Sequence, residues 1–358
     1  MNARFLGVLV VLLIALGGGA LLVREQQSSP KSGGAETLGQ PLLKGLQAAQ
    51  VAAIAIRQPK GAITIAKKDE RWTIAERGGF PADLDKVRGF VVQAISLKIG
   101  QSEPVGEKDR ARLLLDAGGT AIEFLGADGK PLARLTAGRK YFKAEPENPD
   151  KAIGDGRYVA LPGDEKRVIV VADPLAQASV SSADWISKSG FAAEKVKTME
   201  LRYHDGAAAG WKIERSGDNA DWKLAGARGG EKLDVAKANS ASYSLSLIEL
   251  ADVAPADAKP VESGLDKPVV VTAATFDGLT YTLNIGKLAG DNYYATVAVA
   301  GDPAPAGKDA DERLKKINER LPREKALAGY TLLVPKSKLE DIVKKRGELL
   351  EKKEEKKK

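Results

Sequence analysis

The sequence contains one succession of strand and helix patterns twice, about 150 residues apart. In each copy three short segments alternate apolar with polar residues, as half-buried strands do. The third segment carries a tryptophan in both copies, Trp72 and Trp222, at an offset of 150 residues. The segments are 51–56, 63–67 and 71–74 in the first copy and 199–201, 211–213 and 221–224 in the second. A chain with this repetition is expected to fold as two related lobes.

A helix is predicted after each tryptophan strand. Asp83 and Asp234, at an offset of 151 residues, occupy the N-cap position, and Lys86 is matched by Lys237. One apolar stripe at helical spacing follows each cap. The stripes are Leu84, Val87, Val91 and Ile95 in the first copy, and Val235, Ala238, Leu245 and Ile248 in the second.

Each copy continues with two strands joined by an Asp-Gly turn. The turn at Asp128-Gly129 joins 121–124 to 132–135, and the turn at Asp277-Gly278 joins 269–276 to 281–285. Strands, one helix and further strands give a mainly antiparallel sheet with a helix packed on one face. The predicted fold class is therefore α+β, in two repeated lobes behind an N-terminal transmembrane helix.

The transmembrane prediction rests on Phe5–Val23, an uncharged run of nineteen residues. As a helix this run spans roughly 28 Å, close to the hydrocarbon thickness of a bilayer. Arg4 precedes it, so the positive-inside rule predicts a cytoplasmic N-terminus and a periplasmic C-terminal domain in the bacterial inner membrane. The alternative is a cleaved signal peptide, in which Gly18 and Ala20 would form the small-residue cleavage site.

The remaining boundaries follow from composition and pattern. Residues 24–41 are rich in Gln, Ser, Gly and Pro, which is typical of a flexible tether. The predicted organisation is a signal anchor (1–23), the tether (24–41), the first repeat (42–172), a connecting helical segment (173–195), the second repeat (196–301), a C-terminal helix-strand-helix extension (302–350) and a charged tail (351–358). The extension is expected to hold an exposed helix at 309–321, a strand at 329–334 and a helix at 339–350.

The charge distribution argues against nucleic acid as a partner. The formal net charge is +7, but residues 336–358 contain ten Lys or Arg and six Asp or Glu. The folded part is consequently almost neutral and has no basic groove to follow a phosphate backbone. Aromatic residues make up only 5% of the chain, which argues against a stacking platform for bases or sugars.

No residue set predicts a catalytic, cofactor or metal site. The chain has no cysteine and one histidine, His204, so thiol chemistry and histidine-based triads or metal clusters are excluded. Two carboxylate pairs could serve a glycosidase, Asp83 with Asp85 and Asp69 with Glu70. The first pair is better explained by helix capping and the second by a turn between strands. The four tryptophans are expected in the core, and Gly126–Lys130 is expected to be a hairpin and not a phosphate loop.

Several motifs resemble those of a bacterial family, the domain of unknown function 4340. They are Trp72, Phe80–Val87 with its helix, Gly156–Val159, Asp184-Trp185 and Ala328–Pro335. Proteins similar to this family usually carry one N-terminal membrane segment and are often encoded beside ABC-type transport components related to those of gliding motility. The resemblance implies a periplasmic accessory role and supplies no catalytic residues. The sequence departs from the family in the Lys/Glu tail and in residues 309–323.

Two functions remain open from the sequence. The first is a non-enzymatic, membrane-anchored scaffold that binds an envelope protein, such as a subunit of an ABC-type transporter, with no small-molecule substrate identified. The alternative is an envelope polysaccharide-binding module or a carboxylate-dependent glycan hydrolase. A further possibility is contact between the Lys/Glu tail and lipid headgroups, which its interspersed acids would weaken.

Overall fold

The computed structural model describes residues 38–142, 154–206 and 209–351. The predicted anchor (1–23), residues 24–37 of the tether and residues 352–358 of the tail lie outside these ranges. Within them, no helix combines the length and apolar character needed to cross a membrane. Two antiparallel sheets with a few helices make up the described fold, which confirms the α+β class.

The first sheet has nine strands in the order β4-β3-β2-β1-β6-β7-β8-β9-β5. Its strands are β1 (Ala53–Gln58), β2 (Gly61–Lys68), β3 (Arg71–Ile74), β4 (Phe80–Pro81), β5 (Gln101–Pro104), β6 (Thr120–Leu125), β7 (Pro131–Phe142), β8 (Gly154–Ala160) and β9 (Arg167–Val171). Helix α1 (Leu84–Ser96) lies between β4 and β5 in the chain, and helix α2 (Glu107–Arg112) between β5 and β6. The ring of Phe90 on α1 stacks on Phe124 of β6, with centroids 5.9 Å apart, so α1 packs on this sheet as predicted.

The second sheet has eight strands in the order β12-β11-β10-β14-β15-β16-β17-β13. Its strands are β10 (Val196–Arg202), β11 (Trp211–Glu214), β12 (Lys223–Leu224), β13 (Asp252–Val253), β14 (Val269–Thr275), β15 (Thr280–Ala289), β16 (Asn292–Ala300) and β17 (Leu332–Pro335). Four helices accompany it: α3 (Val235–Ser244), α4 (Pro260–Ser263), α5 (Ala310–Ala326) and α6 (Lys336–Leu339).

The described residues group into two compact units. One comprises residues 38–62 and 88–180 and the other residues 63–87 and 181–351. Residues 63–87 thus belong to the second unit, where Phe80 packs edge-on against Tyr330 with ring centroids 4.9 Å apart. The hydroxyl group of Tyr330 also donates a 3.3 Å hydrogen bond to the carbonyl oxygen of Gly79.

Both predicted N-caps are present. A carboxylate oxygen of Asp83 accepts from the backbone N–H groups of Asp85 and Lys86, at 3.0 and 3.3 Å. Asp234 accepts from the backbone N–H of Lys237 at 3.2 Å. These bonds satisfy N–H groups that have no partner inside the first helical turn.

The apolar stripe of α1 differs in part from its prediction. Val87 and Val91 are buried as expected, together with Phe90 and Ala94, whereas Leu84 is 41% exposed and Ile95 is half-buried. At about 100° per residue, Leu84 and Ile95 lie about 70–90° from the centre of the buried stripe, on its flank. Of the second stripe, Ala238, Leu245 and Ile248 are buried as predicted, whereas Val235 is half-buried. The helix ends at Ser244, so Leu245 and Ile248 lie beyond it.

The C-terminal region differs most from its prediction. Helix α5 continues to Ala326 and is not exposed on all sides, since Ile317, Leu321 and Glu324 are buried. The predicted helix at 339–350 is absent; α6 ends at Leu339 and a 3-10 turn covers Arg346–Leu349. The carbonyl groups of Val343 and Lys344 accept hydrogen bonds from Tyr203 and Trp211, and these tertiary contacts replace the helical ones.

Candidate functional site

The residues considered for catalysis occupy structural positions. Asp83 and Asp85 lie at the start of α1, and Asp69 and Glu70 form the two-residue turn between β2 and β3. His204 is exposed in a turn after β10. Among the residues that the structure describes, no group of three or more His, Cys, Asp or Glu side chains could hold a metal ion.

Three of the four tryptophans are buried. Trp185, Trp211 and Trp222 are each at most 3% exposed, and Trp72 is half-buried. The indole N–H of Trp211 donates a 2.7 Å hydrogen bond to the carbonyl oxygen of Lys344. The guanidinium group of Arg215 lies 4.7 Å from the ring centroid of Trp222. The three buried rings therefore have no free face on which a sugar could stack.

A buried serine lies between an arginine and an aspartate in the second unit. The Nε atom of Arg77 donates to Ser182 Oγ at 2.8 Å, and Ser182 Oγ lies 2.7 and 2.8 Å from the two carboxylate oxygens of Asp252. A nucleophilic serine needs a base and an open approach for its substrate. Ser182 is 1% exposed and its oxygen receives the arginine N–H, so the cluster ties three segments together.

A buried carboxylate anchors α5 to the second sheet. Glu324 is fully buried, and its Oε2 atom accepts from the hydroxyl group of Tyr281 at 2.8 Å. Its Oε1 atom accepts from the backbone N–H of Ala192 at 3.1 Å and lies 3.6 Å from the guanidinium group of Arg320. Burial first, and then the Glu324 charge, raise the pKa of Tyr281 well above its ordinary value. The phenol therefore stays protonated and continues to donate.

A second ion pair holds the N-terminal end of α5. Arg313 donates to the carboxylate of Asp277, which is 3% exposed in the turn between β14 and β15. The other carboxylate near Arg313 is Asp309, 2.9 Å from its NH1 atom. The two ends of α5 are thus fixed on the sheet by Arg313 and Glu324.

The exposed face of α3 is the clearest candidate surface for a partner. Tyr243 in the last turn of α3 is 79% exposed, and Leu247, three residues past the end of the helix, is 60% exposed. The exposed residues that precede them on this face are small or uncharged: Ala236, Asn239 and Ser240. An exposed tyrosine beside an exposed leucine, on a face without charged residues, forms an apolar patch of the kind found at protein-binding surfaces.

The corresponding face of α1 has a different character. At an offset of 151 residues, Ala236 and Asn239 correspond to Asp85 and Arg88, and Tyr243 corresponds to Val92. The face of α1 therefore carries charges where that of α3 has none. The only charged residue from 235 to 248 is Lys237, whose ammonium group donates to the carbonyl oxygen of Leu350 at 3.0 Å.

Residues 72–268 match the model of one protein family, described as "Domain of unknown function (DUF4340)". The match covers more than half of the 358 residues. The chain belongs to this family. No curated protein and no solved structure matches the chain.

The DUF4340 match includes α1, the Arg77–Ser182–Asp252 cluster and the exposed face of α3. The long helix α5, with Glu324 and Arg313, follows the matched residues in the chain.

The sequence analysis did not identify Tyr243 and Leu247 as exposed residues. The sequence could have predicted their exposure, because both residues lie outside the apolar stripe of Ala238, Leu245 and Ile248. The pairs Tyr281–Glu324 and Asp277–Arg313 join residues 43 and 36 positions apart and leave no local pattern.

Proposed function

We propose that this chain is a non-enzymatic accessory protein, anchored in the bacterial inner membrane by Phe5–Val23, that holds its DUF4340 domain in the periplasm and binds another envelope protein. The observation that carries the proposal is the uncharged run of nineteen residues directly after Arg4. Such a run favours insertion into a bilayer, and the preceding basic residue favours a cytoplasmic N-terminus.

The arrangement of the polar residues supports a role in binding. The carboxylates of Asp83 and Asp234 cap helices, and that of Glu324 anchors α5. Catalysis by a carboxylate needs the group to reach a substrate atom. Each of these groups is engaged by backbone N–H or hydroxyl donors of the fold itself.

The exposed face of α3 is the surface that we assign to the partner. Burial of Tyr243 and Leu247 in an interface would remove apolar area from water without desolvating any charge on this helix. The proposed partner is a subunit of an ABC-type transporter, because proteins similar to the family are often encoded beside such components.

The two sheets further support an origin by duplication. Read from β3 to β5 and from β12 to β13, their strand orders correspond strand by strand. The contacts at the two helix N-termini also correspond. Lys86 Nζ donates to the carbonyl oxygen of Ile186 at 3.1 Å, and Lys237 Nζ donates to that of Leu350 at 3.0 Å. The long helix α5 lies between β16 and β17, where the first sheet has only a short connection.

The experiment that tests the proposal is site-specific photo-cross-linking of the full chain in membranes. A photoreactive residue replaces Tyr243, and the matched control carries the same residue at Val92 on α1. Position 243 is expected to capture ABC-type membrane subunits, and Tyr243→Ala with Leu247→Ala should lower recovery in a pull-down by about tenfold. Recovery of no such subunit from position 243 would contradict the proposed partner.

A further inference from the structure

Two Arg-Gly-Gly turns occupy corresponding positions in the chain. Residues 77–79 lie between β3 and β4, and residues 228–230 lie between β12 and α3, at an offset of 151 residues. The same offset relates the helix caps Asp83 and Asp234, which follow the two turns. The turns are therefore the same element of the repeated pattern, and their contacts can be compared directly.

The first turn is docked on other segments of the second unit. Arg77 Nε donates to Ser182 Oγ at 2.8 Å, and the hydroxyl group of Ser182 donates to a carboxylate oxygen of Asp252 at 2.7 Å. The hydroxyl group of Tyr330 donates to the carbonyl oxygen of Gly79 at 3.3 Å. An Arg-Gly-Gly turn of this chain thus fits a surface that offers a carboxylate beside hydroxyl groups.

The second turn is exposed over all three of its residues, 228–230. A Cβ atom at Gly229 would meet nothing within 4 Å, whereas one at the corresponding Gly78 would lie 3.4 Å from that of Ala256. Within the described residues, no surface is therefore packed against the second turn as one is against the first.

The guanidinium group of Arg228 is open to solvent. Among the residues that the structure describes, it forms no hydrogen bond and no ion pair within 4 Å. The backbone N–H of Arg228 donates to Glu231 Oε2 at 2.8 Å. That carboxylate is already held by Arg346, which donates to its two oxygens at 2.7 and 3.2 Å.

A difference in the opposing segment explains why Arg228 has no acceptor. Ile186 and Leu350 bridge to equivalent residues beside the two turns, and Ser182 and Arg346 stand four positions before them. The place of the serine acceptor is thus taken by a second guanidinium group. Like charges repel, so this place cannot receive Arg228 as Ser182 receives Arg77.

We propose that residues 228–230 form a docking site for another protein that presents a carboxylate beside a hydroxyl group, as Asp252 and Ser182 do for the first turn. Arginine donates charge-assisted hydrogen bonds to such a pair, and the two glycines allow a close approach of the partner's backbone. A second copy of this chain does not supply the site, because Ser182 is 1% exposed and already receives Arg77. The site is separate from the exposed face of α3, so the two partner assignments can fail independently.

Site-specific photo-cross-linking of the full chain in its own membranes tests the proposal. A photoreactive residue replaces Gly229, and the matched control carries it at Gly217, where a Cβ atom also meets nothing within 4 Å. Position 229 is expected to give an adduct with a second protein whose linked peptide contains Asp or Glu, and position 217 is expected to give none. Adducts with phospholipid alone, with another copy of this chain, or with no protein would overturn the proposal.

Charge reversal then tests the pairing itself. Arg228→Glu should lower the yield of the adduct at position 229 by about tenfold, because it places like charges opposite each other. The control Arg202→Glu reverses an arginine whose side chain is 63% exposed on β10 and should leave the yield unchanged. Replacement of the partner's linked carboxylate by lysine should lower the yield with the wild-type chain and restore it with Arg228→Glu. An unchanged yield for Arg228→Glu, or no restoration, would contradict the assigned contact.

Discussion

The phenol of Tyr281 donates a 2.8 Å hydrogen bond to the fully buried carboxylate of Glu324. Tyr281→Phe keeps the ring and removes this donor, which leaves a buried charge with one partner fewer. A hydrogen bond to a charged group contributes about 1.5–3 kcal/mol, so the free energy of unfolding in urea should fall by about that amount. Tyr243→Phe is the matched control on an exposed ring and should change it by less than about 0.5 kcal/mol. Equal effects of the two substitutions would contradict the proposed role of Glu324 in holding α5 on the sheet.

The Glu231–Arg346 pair predicts a loss of stability in acid. The side-chain hydrogen bond from Arg346, followed by the backbone N–H of Arg228, lowers the pKa of Glu231 from 4.5 to about 2. Because the folded-state pKa lies below the ordinary value, the pair stabilises the fold above about pH 4.5 and this contribution is lost as the pH falls towards 2. Thermal unfolding midpoints of the wild type and Glu231→Gln should therefore converge over this interval. A constant difference between the two unfolding midpoints from pH 7 to pH 2 would contradict a stabilising role of the Glu231 charge.

The turn between β2 and β3 is occupied by residues that are unfavourable for its backbone. Asp69 and Glu70 both have positive φ, 49° and 62°, in a two-residue hairpin loop that favours Asn-Gly or Asp-Gly. Glu70→Gly should raise the free energy of unfolding by about 1 kcal/mol. The control Glu70→Ala removes the same exposed ion pair with Lys67 but keeps the strained φ, and should bring no gain. An equal gain from both variants would show that relief of the positive φ at residue 70 is not its cause.

Two glycines predict opposite results on substitution by alanine. A Cβ atom at Gly286 of β15 would lie 2.2 Å from the carbonyl oxygen of Ser263, so Gly286→Ala should displace α4 and lower the free energy of unfolding by about 1–3 kcal/mol. A Cβ atom at Gly89, exposed on α1, meets nothing within 4 Å. Gly89→Ala should raise stability by about 0.5–1 kcal/mol. Chemical denaturation of both variants measures the two changes in the free energy of unfolding. No change for Gly286→Ala would show that α4 is free to move.

The sequence predicts those features of this fold that depend on neighbouring residues. The caps at Asp83 and Asp234 and the Asp-Gly hairpins are local, and the structure confirms them. The predicted helix at 339–350 was wrong because Tyr203 and Trp211, more than 130 positions earlier, bind the carbonyl groups that a helix would use. Local patterns carry no information on such contacts, and helical propensity is too weak to outweigh them.

The candidate surface was predictable only in part. The core positions of α3 follow from its apolar spacing, whereas the importance of Tyr243 and Leu247 depends on nothing covering them in the described fold. Residues 309–321 were expected to form an exposed helix. Instead, the pairs Asp277–Arg313 and Tyr281–Glu324 hold one face of α5 on the sheet. Each pair joins segments that are distant in the sequence, so neither could be predicted from a local pattern.

Export of the DUF4340 domain is the central claim, and the topology of the full-length chain tests it most directly. Alkaline phosphatase, which is active only in the periplasm, and a fluorescent reporter that is active only in the cytoplasm are fused in turn after Lys358. The account predicts phosphatase activity with no fluorescence. The phosphatase activity should be lost when Leu12→Arg and Leu13→Arg interrupt the apolar run. Fluorescence without phosphatase activity would place the domain in the cytoplasm and contradict the proposed function.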